Sequence, residues 1–243
     1  MNGVTDSTGR IHSVQSLGAA DGPGVRAVVF MQGCPLRCAC CHNPDTWDFS
    51  GGREIKAEEL CTQLLRFAPY FGTDGGVTVS GGEPLCQADF VRRLFVQLHE
   101  NGIHTALDTS GCLLTPAVDA LLAETDLVLL DWKYTDDAAY RRYVGCGQAQ
   151  VAAFLQRLQE RQIPVWLRQV SIPGLNDTPE NDRQLSALAA QYSCIRRIEL
   201  LPFRKLCTAK YRALSLPFPL ESTPEADTAE TARRQAALAV CRD

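Results

Sequence analysis

The sequence predicts an α/β fold, a partial and open (β/α)6 barrel of the TIM type with an N-terminal β-hairpin extension. Apolar runs of strand length alternate with amphipathic helical segments, six such units follow one another, and polar motifs lie where the strands end. Consecutive βα units build a parallel sheet with right-handed crossovers. With 243 residues and 45% hydrophobic composition, the chain can bury a core of this size as one domain.

The predicted strands are short runs of apolar and β-branched residues. An N-terminal hairpin comes first, with an alternating strand at 9–15 and a glycine-rich turn at 18–24. The six barrel strands are expected at 25–31, 77–80, 103–107, 126–132, 164–172 and 195–201.

The predicted helices carry apolar residues at three- and four-residue spacing. They are expected at 57–70, 90–98, 115–122, 151–161, 179–191 and 225–240. We expect a single domain over 1–243, in which the hairpin and turn (1–24) precede the barrel core (25–203) and a C-terminal loop and helix (204–243).

Charge and hydropathy exclude several classes of partner. The net charge is −4 and no block of Lys and Arg occurs, which argues against a nucleic acid held by phosphate contacts. The first ten residues lack the apolar region of a signal peptide, and no apolar run is long enough to span a bilayer. We therefore expect a cytoplasmic protein, a monomer, without a membrane partner.

Four of the eleven cysteines crowd into residues 34–41. The spacing of Cys34, Cys38 and Cys41 lets one short loop wrap a single metal cluster. A structural zinc fits poorly, because no second Cys-x-x-Cys or His pair completes a tetrahedral site. The other cysteines are expected to act as small buried hydrophobes; they are Cys61, Cys86, Cys112, Cys146, Cys194, Cys207 and Cys241.

Polar motifs follow consecutive predicted strands at their C-terminal ends. In a β/α barrel the loops at that edge converge on the active-site mouth. Six units rather than eight leave the barrel open, as a large substrate requires. The motifs are the cysteine loop (residues 33–44), Gly81-Gly82-Glu83, Asp108-Thr109, Asp131-Trp132-Lys133, Arg168 and Arg204.

The Cys34-x3-Cys38-x2-Cys41 pattern resembles the signature of the radical S-adenosylmethionine superfamily. The resemblance implies a [4Fe-4S] cluster with three thiolate ligands, which leaves one iron open. It also implies that the amine and carboxylate of S-adenosylmethionine chelate this iron. One electron from the reduced cluster would then cleave the sulfonium, giving methionine and a 5'-deoxyadenosyl radical that abstracts hydrogen.

Further motifs surround the cysteines and follow the later strands. They are Asp21-Gly22-Pro23-Gly24-Val25-Arg26, Gln32-Gly33-Cys34, Cys41-His42-Asn43, Asp45-Thr46-Trp47, Ser80-Gly81-Gly82-Glu83-Pro84, Asp108-Thr109-Ser110-Gly111 and Ile198-Glu199-Leu200-Leu201-Pro202. Together they resemble the pyruvate formate-lyase activating enzymes, which are glycyl-radical enzyme activases. The resemblance spans roughly residues 9–211 and implies removal of an α-hydrogen from a glycine of pyruvate formate-lyase, with reduced flavodoxin or ferredoxin as electron donor.

The resemblance assigns roles to the residues that follow the strands. Gly81-Gly82-Glu83 would receive the amino group of the cofactor, and Lys133 and Arg168 would donate to its carboxylate or ribose oxygens. Asp21 would lie near the incoming glycyl loop, although Asp-Gly is also ordinary turn chemistry. A monovalent cation beside the cofactor carboxylate would be held by Asp108, Thr109 and Asp131, although a strand-end Asp can instead cap a helix.

The sequence departs from this family at two positions. Cys40 stands where an aromatic residue normally packs near adenine, and a thiol offers far less stacking area. Adenine would then contact the backbone around Cys40 to His42 or pack against another side chain. Arg204 stands where a His is common, which leaves its ribose contact open. Cys40, His42, Trp132 and Arg204 complete the predicted cofactor-binding set.

Three other functions remain open at the level of sequence. The chain could activate another glycyl-radical enzyme, or act as a radical enzyme on a small molecule. From a different class, it could be a non-catalytic iron-sulfur electron carrier or redox sensor. A carrier would not need Gly81-Gly82-Glu83 or the strand-end Asp108 and Asp131.

Overall fold

A computed structural model describes residues 8–238 and contains one eight-stranded sheet. The strands run in the spatial order β3-β1-β2-β4-β5-β6-β7-β8. Their bounds are β1 Thr8–Gly18, β2 Arg26–Met31, β3 Arg53–Lys56, β4 Gly76–Gly81, β5 His104–Thr109, β6 Leu127–Asp131, β7 Val165–Ser171 and β8 Ile195–Pro202.

Six strands, β2 and β4 to β8, pair in parallel with their neighbours. Within residues 8–238, β8 pairs only with β7, so the barrel is open. This confirms the predicted α/β fold with a partial barrel. Strand β1 pairs antiparallel with β2, as expected of an N-terminal hairpin, and it also pairs with β3. The sequence did not predict β3, because only Ile55 of its four residues is buried and a single apolar residue shows no alternation.

The helices alternate with the parallel strands. Their bounds are α1 Ala57–Leu65, α2 Ala88–Glu100, α3 Pro116–Leu122, α4 Asp137–Tyr143, α5 Gln148–Arg161, α6 Pro179–Gln191, α7 Thr208–Ala213 and α8 Thr228–Ala237. Over residues 8–238, none of these helices has the length and apolar character needed to cross a bilayer.

Four helices differ most from the prediction. Helix α1 ends at Leu65 rather than at residue 70, because Pro69 disfavours helical conformation before it and a 3-10 turn follows. Helices α4 and α7 were not predicted, because each buries a single residue, Tyr140 or Tyr211, and one buried residue shows no helical periodicity. Helix α8 begins at Thr228, where the Asp227 side chain caps it, and the predicted end at residue 240 lies outside the described residues.

The parallel strands are buried on both faces. On β6, Val128 and Leu130 belong to the large apolar cluster that includes the helices, whereas Leu127 and Leu129 pack with Ala106 of β5 in a smaller cluster. Successive strand residues point to opposite faces, so the smaller cluster marks the interior side of the sheet. This double burial explains why the strands read as continuous apolar runs.

The glycine-rich segment 19–25 crosses between distant strands of the barrel. Arg168 of β7 donates from Nη2 to the carbonyl oxygen of Ala20 at 3.2 Å. Thr78 of β4 donates from Oγ1 to the carbonyl oxygen of Asp21 at 2.6 Å, and the fully buried Arg26 donates from Nε to Thr78 at 2.7 Å. These bonds fix Asp21 between β4 and β7.

Helix α8 covers the edge strand β8. Gln235 accepts from the backbone N–H of Leu200 at 2.5 Å and donates to the carbonyl oxygen of Ile198 at 2.7 Å. Arg234 forms a two-point ion pair with Asp182 of α6, at 2.6 and 2.8 Å. An uncovered edge would offer these backbone groups to another chain. The C-terminal segment therefore protects the last strand of the open barrel.

Replacing Gln235 by Leu should destabilise this edge. The change leaves Leu200 N–H and Ile198 C=O without their partner, and an unpaired half-buried group costs about 1–3 kcal/mol. We expect a decrease of that size in the free energy of unfolding, measured by urea denaturation. Arg233→Leu on the same helix is the control, because among residues 8–238 the exposed Glu230 is the ion-pair partner of Arg233. Equal losses in the two variants would contradict the role of Gln235.

Candidate active site

One cavity of about 250 Å³ lies at the C-terminal ends of the parallel strands. It brings together nearly all the residues that the sequence analysis selected, although they come from six separate segments. They are Asp21, Cys34, Cys38, Cys40, Cys41, His42, Gly81, Gly82, Glu83, Asp108, Thr109, Asp131, Lys133 and Arg168.

The cysteine loop is held by backbone hydrogen bonds to its surroundings. Arg37 N–H donates to the carbonyl of Val144 at 3.1 Å, and Ala39 N–H donates to that of Tyr143 at 2.7 Å. Both acceptors lie at the end of α4, the helix that the sequence did not reveal. A turn follows, in which Cys41 N–H donates to the carbonyl of Cys38 at 3.0 Å. The loop conformation therefore depends on the segment after β6.

The three thiols predicted to bind a cluster are half-buried, and their partial burial raises the pKa of each. Burial raises the pKa of Cys34 to about 12, against the effect of a hydrogen bond from Leu36 N–H. Burial likewise raises the pKa of Cys38 and of Cys41, although Asn43 N–H donates to the Cys41 sulfur at 3.4 Å. Such thiols lose their protons when a metal binds, so cluster assembly releases protons.

The donor set fits an iron-sulfur cluster better than a single ion. Within the described part of the chain, no three side chains of His, Cys, Asp or Glu converge on one point as a mononuclear metal requires. The thiolates of a [4Fe-4S] cluster bind separate irons, so they surround a space instead. Cys34, Cys38 and Cys41 line one such space, and all three are free thiols.

The Gly81-Gly82-Glu83 loop pairs directly with the cysteine loop. Gly82 N–H donates to the carbonyl of Met31, and Glu83 N–H donates to that of Gly33, both at 2.9 Å. A Cβ atom on Gly82 would lie 2.3 Å from the carbonyl oxygen of Gly33. Gly81 has φ +103°, and its Cβ would lie 2.3 Å from the nitrogen of Met31. The approach of the two backbones therefore requires both glycines.

The Glu83 carboxylate is committed to the loop after β5. It is 1% exposed and accepts from Thr109 Oγ1 at 2.6 Å and from Leu85 N–H at 3.1 Å. It also accepts from both the N–H and the hydroxyl of Ser110. Burial raises the pKa of Glu83, and these donors oppose that effect. The sequence places Ser110 in the Asp108-Thr109-Ser110-Gly111 motif but does not indicate that it contacts Glu83.

A buried ion-pair group lies across β5, β7 and β8. Asp108 accepts from Ser80 Oγ at 2.7 Å and lies 3.6 Å from Nη1 of Arg168. Nε of Arg168 lies 3.5 Å from Glu199. Burial raises the pKa of Asp108 to about 6, and the nearby Arg168 opposes the shift. Glu199, one strand beyond Arg168, is a charged member of this group that the sequence analysis did not assign.

Lys133 supplies a fixed positive charge beside the cysteines. Its Nζ bonds to Oδ2 of Asp131. Burial disfavours the charged form, but Asp131 and then Cys38 raise the pKa of Lys133 well above its ordinary value. Burial raises the pKa of Cys38 and Cys40, and the same ammonium group opposes that shift. Lys133 is therefore charged and stabilises thiolate at this part of the loop.

Two predicted site residues have side chains directed elsewhere. Trp132 does not line the cavity and packs edge-on against Tyr140, with ring centroids 6.2 Å apart. It falls between Asp131 and Lys133, and neighbouring residues of an extended segment point to opposite sides. The guanidinium of Arg204 donates to the carbonyl of Ala226 at 3.0 Å and also lies outside the cavity.

The backbone of Arg204 nevertheless reaches the cysteine loop. Nε2 of His42 lies 2.9 Å from the carbonyl oxygen of Arg204. The segment after β8 therefore orients His42, and this contribution does not depend on the side chain at position 204. A sequence motif indicates side-chain chemistry, so it does not reveal a contact that the backbone carbonyl of Arg204 makes.

Solved structures share this architecture. A domain of pyruvate-formate lyase-activating enzyme from Bacteroides vulgatus matches with a TM-score of 0.55 and 21% identity, over 69% of this chain and 96% of that domain. SuiB from Streptococcus suis, bound to its precursor peptide SuiA, matches with a TM-score of 0.62 and 16% identity, over 73% of this chain and 39% of SuiB. At these identities the likeness concerns the fold.

Relatives found by sequence share a much higher identity with this chain than these solved structures do. Residues 20–150 match the family described as a 4Fe-4S single cluster domain, in agreement with the predicted cluster. The pyruvate formate-lyase-activating enzyme of Clostridium pasteurianum is 46% identical over 220 residues, 90% of this chain and 92% of the relative. That of Staphylococcus epidermidis is 41% identical over 227 residues, 90% of each chain. The chain belongs to the family of pyruvate formate-lyase-activating enzymes.

Proposed function

We propose that the chain activates pyruvate formate-lyase by generating a radical on one of its glycines. The observation that carries the proposal is the convergence of three free thiols, the Gly81-Gly82 loop and a group of fixed charges on one cavity at the mouth of an open barrel. Family membership supports this class of reaction and this protein substrate. Reduced flavodoxin or ferredoxin is the proposed electron donor.

Cys34, Cys38 and Cys41 are the proposed ligands of a [4Fe-4S] cluster. Three protein ligands leave one iron open for S-adenosylmethionine. When bound, the two cofactors supply an electron and a 5'-deoxyadenosyl radical that removes hydrogen from the glycine α-carbon. Cys40 is buried in the same loop but is proposed to remain a free thiol beside the nucleoside.

The loop after β4 is proposed to bind the amino group of S-adenosylmethionine through its main chain. The Glu83 carboxylate is already occupied by donors from Thr109, Ser110 and Leu85. Its role is then to hold the loop rather than to bind the cofactor. The flanking carbonyl groups of the Gly81-Gly82 turn are the acceptors that an ammonium group can use.

The charged groups are proposed to position the rest of the cofactor. Lys133 keeps its proton in the buried cavity, so it can donate charge-assisted hydrogen bonds to a carboxylate or ribose oxygen. Arg168 can also donate charge-assisted hydrogen bonds to a carboxylate or ribose oxygen. Asp108, Thr109 and Asp131 stand at the ends of the adjacent strands β5 and β6 and offer oxygen ligands for a monovalent cation.

We propose that the protein substrate reaches the cavity through the open side of the barrel. Asp21 lines the cavity on a segment tied to β4 and β7, so it can meet an incoming glycyl loop from a fixed position. That loop would also shield the cavity from water and oxygen while the radical exists. We further propose that the chain is a single domain and works as a monomer in the cytoplasm.

A radical assay tests this function. The protein, loaded with iron and sulfide, is incubated anaerobically with reductant, S-adenosylmethionine and pyruvate formate-lyase, and the glycyl doublet is recorded by electron paramagnetic resonance. We expect Cys34→Ala, Cys38→Ala and Cys41→Ala each to abolish the signal, because each removes one ligand of the cluster. Cys40→Ala is the matched control in the same loop and should keep a competent cluster.

Three outcomes would count against the proposal. A cluster-loaded protein that cleaves S-adenosylmethionine but yields no doublet points to another glycyl-radical substrate. One that leaves S-adenosylmethionine uncleaved is an electron carrier instead. A Cys40→Ala variant without a cluster overturns the ligand assignment.

Replacing Gly82 by Ala tests the pairing of the two loops. The added methyl group would meet the Gly33 carbonyl at 2.3 Å, so we expect a loss of about 1–3 kcal/mol in stability and weaker binding of S-adenosylmethionine. Thermal unfolding and calorimetric titration measure the two effects. Gly174→Ala is the control, since its Cβ meets nothing within 4 Å and the change adds only backbone strain. Normal binding by Gly82→Ala would show that the close approach is dispensable.

A further inference from the structure

We propose that Asn176 positions Lys133 for the binding of S-adenosylmethionine. Asn176 does not line the cavity, so it acts through Lys133 and is a positioning residue rather than a catalytic one. The inference rests on the proposed function, because it takes Lys133 to be a residue that binds the cofactor.

Lys133 lies on a connecting segment and not on a strand. Strand β6 ends at Asp131, and α4 begins only at Asp137. Connecting segments are more mobile than strands unless other groups hold their main chain. The direction of the Lys133 side chain therefore depends on the contacts that this segment makes.

The side chain of Asn176 joins this segment to the end of β7. Its Nδ2 donates to the carbonyl oxygen of Lys133 at 3.3 Å and to that of Val170 at 2.9 Å. Its Oδ1 accepts from the backbone N–H of Ile172 at 2.7 Å. Both N–H donors of the amide and its oxygen are thus used, and the residue is 3% exposed.

A second buried amide holds the preceding peptide group. Gln169 donates from Nε2 to the carbonyl oxygen of Trp132 at 3.0 Å and accepts from Nδ2 of Asn181 at 2.7 Å. The backbone N–H of Lys133 donates to the hydroxyl of Tyr140 at 3.0 Å. The main chain is therefore held on both sides of the Lys133 α-carbon.

The loop that carries Asn176 is fixed from the other side by helix α8. Arg234 donates from Nη2 to the carbonyl oxygen of Asn176 at 3.3 Å and from Nη1 to the hydroxyl of Ser171 at 2.6 Å. Its two-point ion pair with Asp182 holds the guanidinium in place. Asn176 is thus a rigid support for the segment after β6.

This support orients a long and flexible side chain. Lys133 lines the cavity with its side chain 15% exposed and bonds to Asp131. Ordering a lysine side chain costs up to about 2 kcal/mol in lost rotamers. A group that is already oriented before binding reduces this cost for the ligand and so increases affinity. Loss of the Asn176 amide should therefore weaken cofactor binding.

A double-mutant cycle tests the inference. Binding of S-adenosylmethionine to the cluster-loaded protein is measured by anaerobic calorimetric titration for the unmodified protein, Asn176→Leu, Lys133→Met and the double variant. Leucine keeps the branched shape of asparagine without its hydrogen-bonding groups. We expect Asn176→Leu to weaken binding about tenfold, and to have no further effect in the Lys133→Met background, because residues that act through one another are not additive.

A second readout needs neither cofactor. In the unloaded protein, mass spectrometry compares the rate at which acetic anhydride modifies Lys133 with the rate for Lys210, which has its own ion pair with Asp45. Asn176→Leu should raise this ratio about fivefold, which corresponds to about 1 kcal/mol, because a less constrained Lys133 separates from Asp131 more often. Asn176→Ser, a smaller change, should shift both readouts in the same direction if Asn176→Leu does not fold.

Asp177→Ala is the matched control in the same loop. Asp177 is exposed, and its Oδ1 accepts from the N–H of Gly174 at 2.8 Å. The change removes a contact within the loop but leaves the Asn176 amide in place. Both the affinity for S-adenosylmethionine and the modification ratio should stay unchanged.

Three results would overturn the inference and leave the proposed function intact. They are additive effects of Asn176→Leu and Lys133→Met, a modification ratio that is unchanged in the Asn176 variants, and an effect of Asp177→Ala equal to that of Asn176→Leu. Failure of the unmodified, cluster-loaded protein to bind S-adenosylmethionine would instead overturn the proposed function.

Discussion

The backbone contact between the cysteine loop and the Gly81-Gly82-Glu83 loop is the constraint on which the rest of the site depends. Two hydrogen bonds join these segments, and the glycines allow an approach that any side chain would block. Glu83 also accepts hydrogen bonds from Thr109 and Ser110, and these bonds hold the end of β5 against the same loop. Three consecutive strand ends are thereby fixed relative to one another before any cofactor binds.

The positions of the charged side chains in the cavity depend on these fixed strand ends. Lys133, Asp131, Asp108, Arg168 and Glu199 are largely withdrawn from water, and each has an opposite charge within reach. Buried ion pairs add little net stability, because desolvation offsets the attraction. We propose that their arrangement at one mouth serves the binding of a zwitterionic cofactor, whose amine, carboxylate and sulfonium need fixed partners.

Much of the fold and the site followed from the sequence for physical reasons. Buried parallel strands read as apolar runs, and glycines or carboxylates at their ends mark the active-site edge. The direction of Trp132 follows from the alternation of side chains along an extended segment, which is a local pattern. Three other features could not be predicted because their cause is tertiary. Strand β3 has one buried residue, Arg204 acts through its carbonyl, and Ser110 matters only because Glu83 accepts hydrogen bonds from it. No local pattern encodes these contacts.

The central claim is that three cysteines leave one iron of the cluster open for S-adenosylmethionine. Electron-nuclear double resonance on the reduced cluster, with S-adenosylmethionine labelled with ¹⁵N in the amine and ¹⁷O in the carboxylate, tests it most directly. We expect hyperfine couplings from both labels, and the same couplings in Cys40→Ala. A cluster that shows neither coupling, and that changes its spectrum in Cys40→Ala, would mean that Cys40 is a fourth ligand and that the iron is closed.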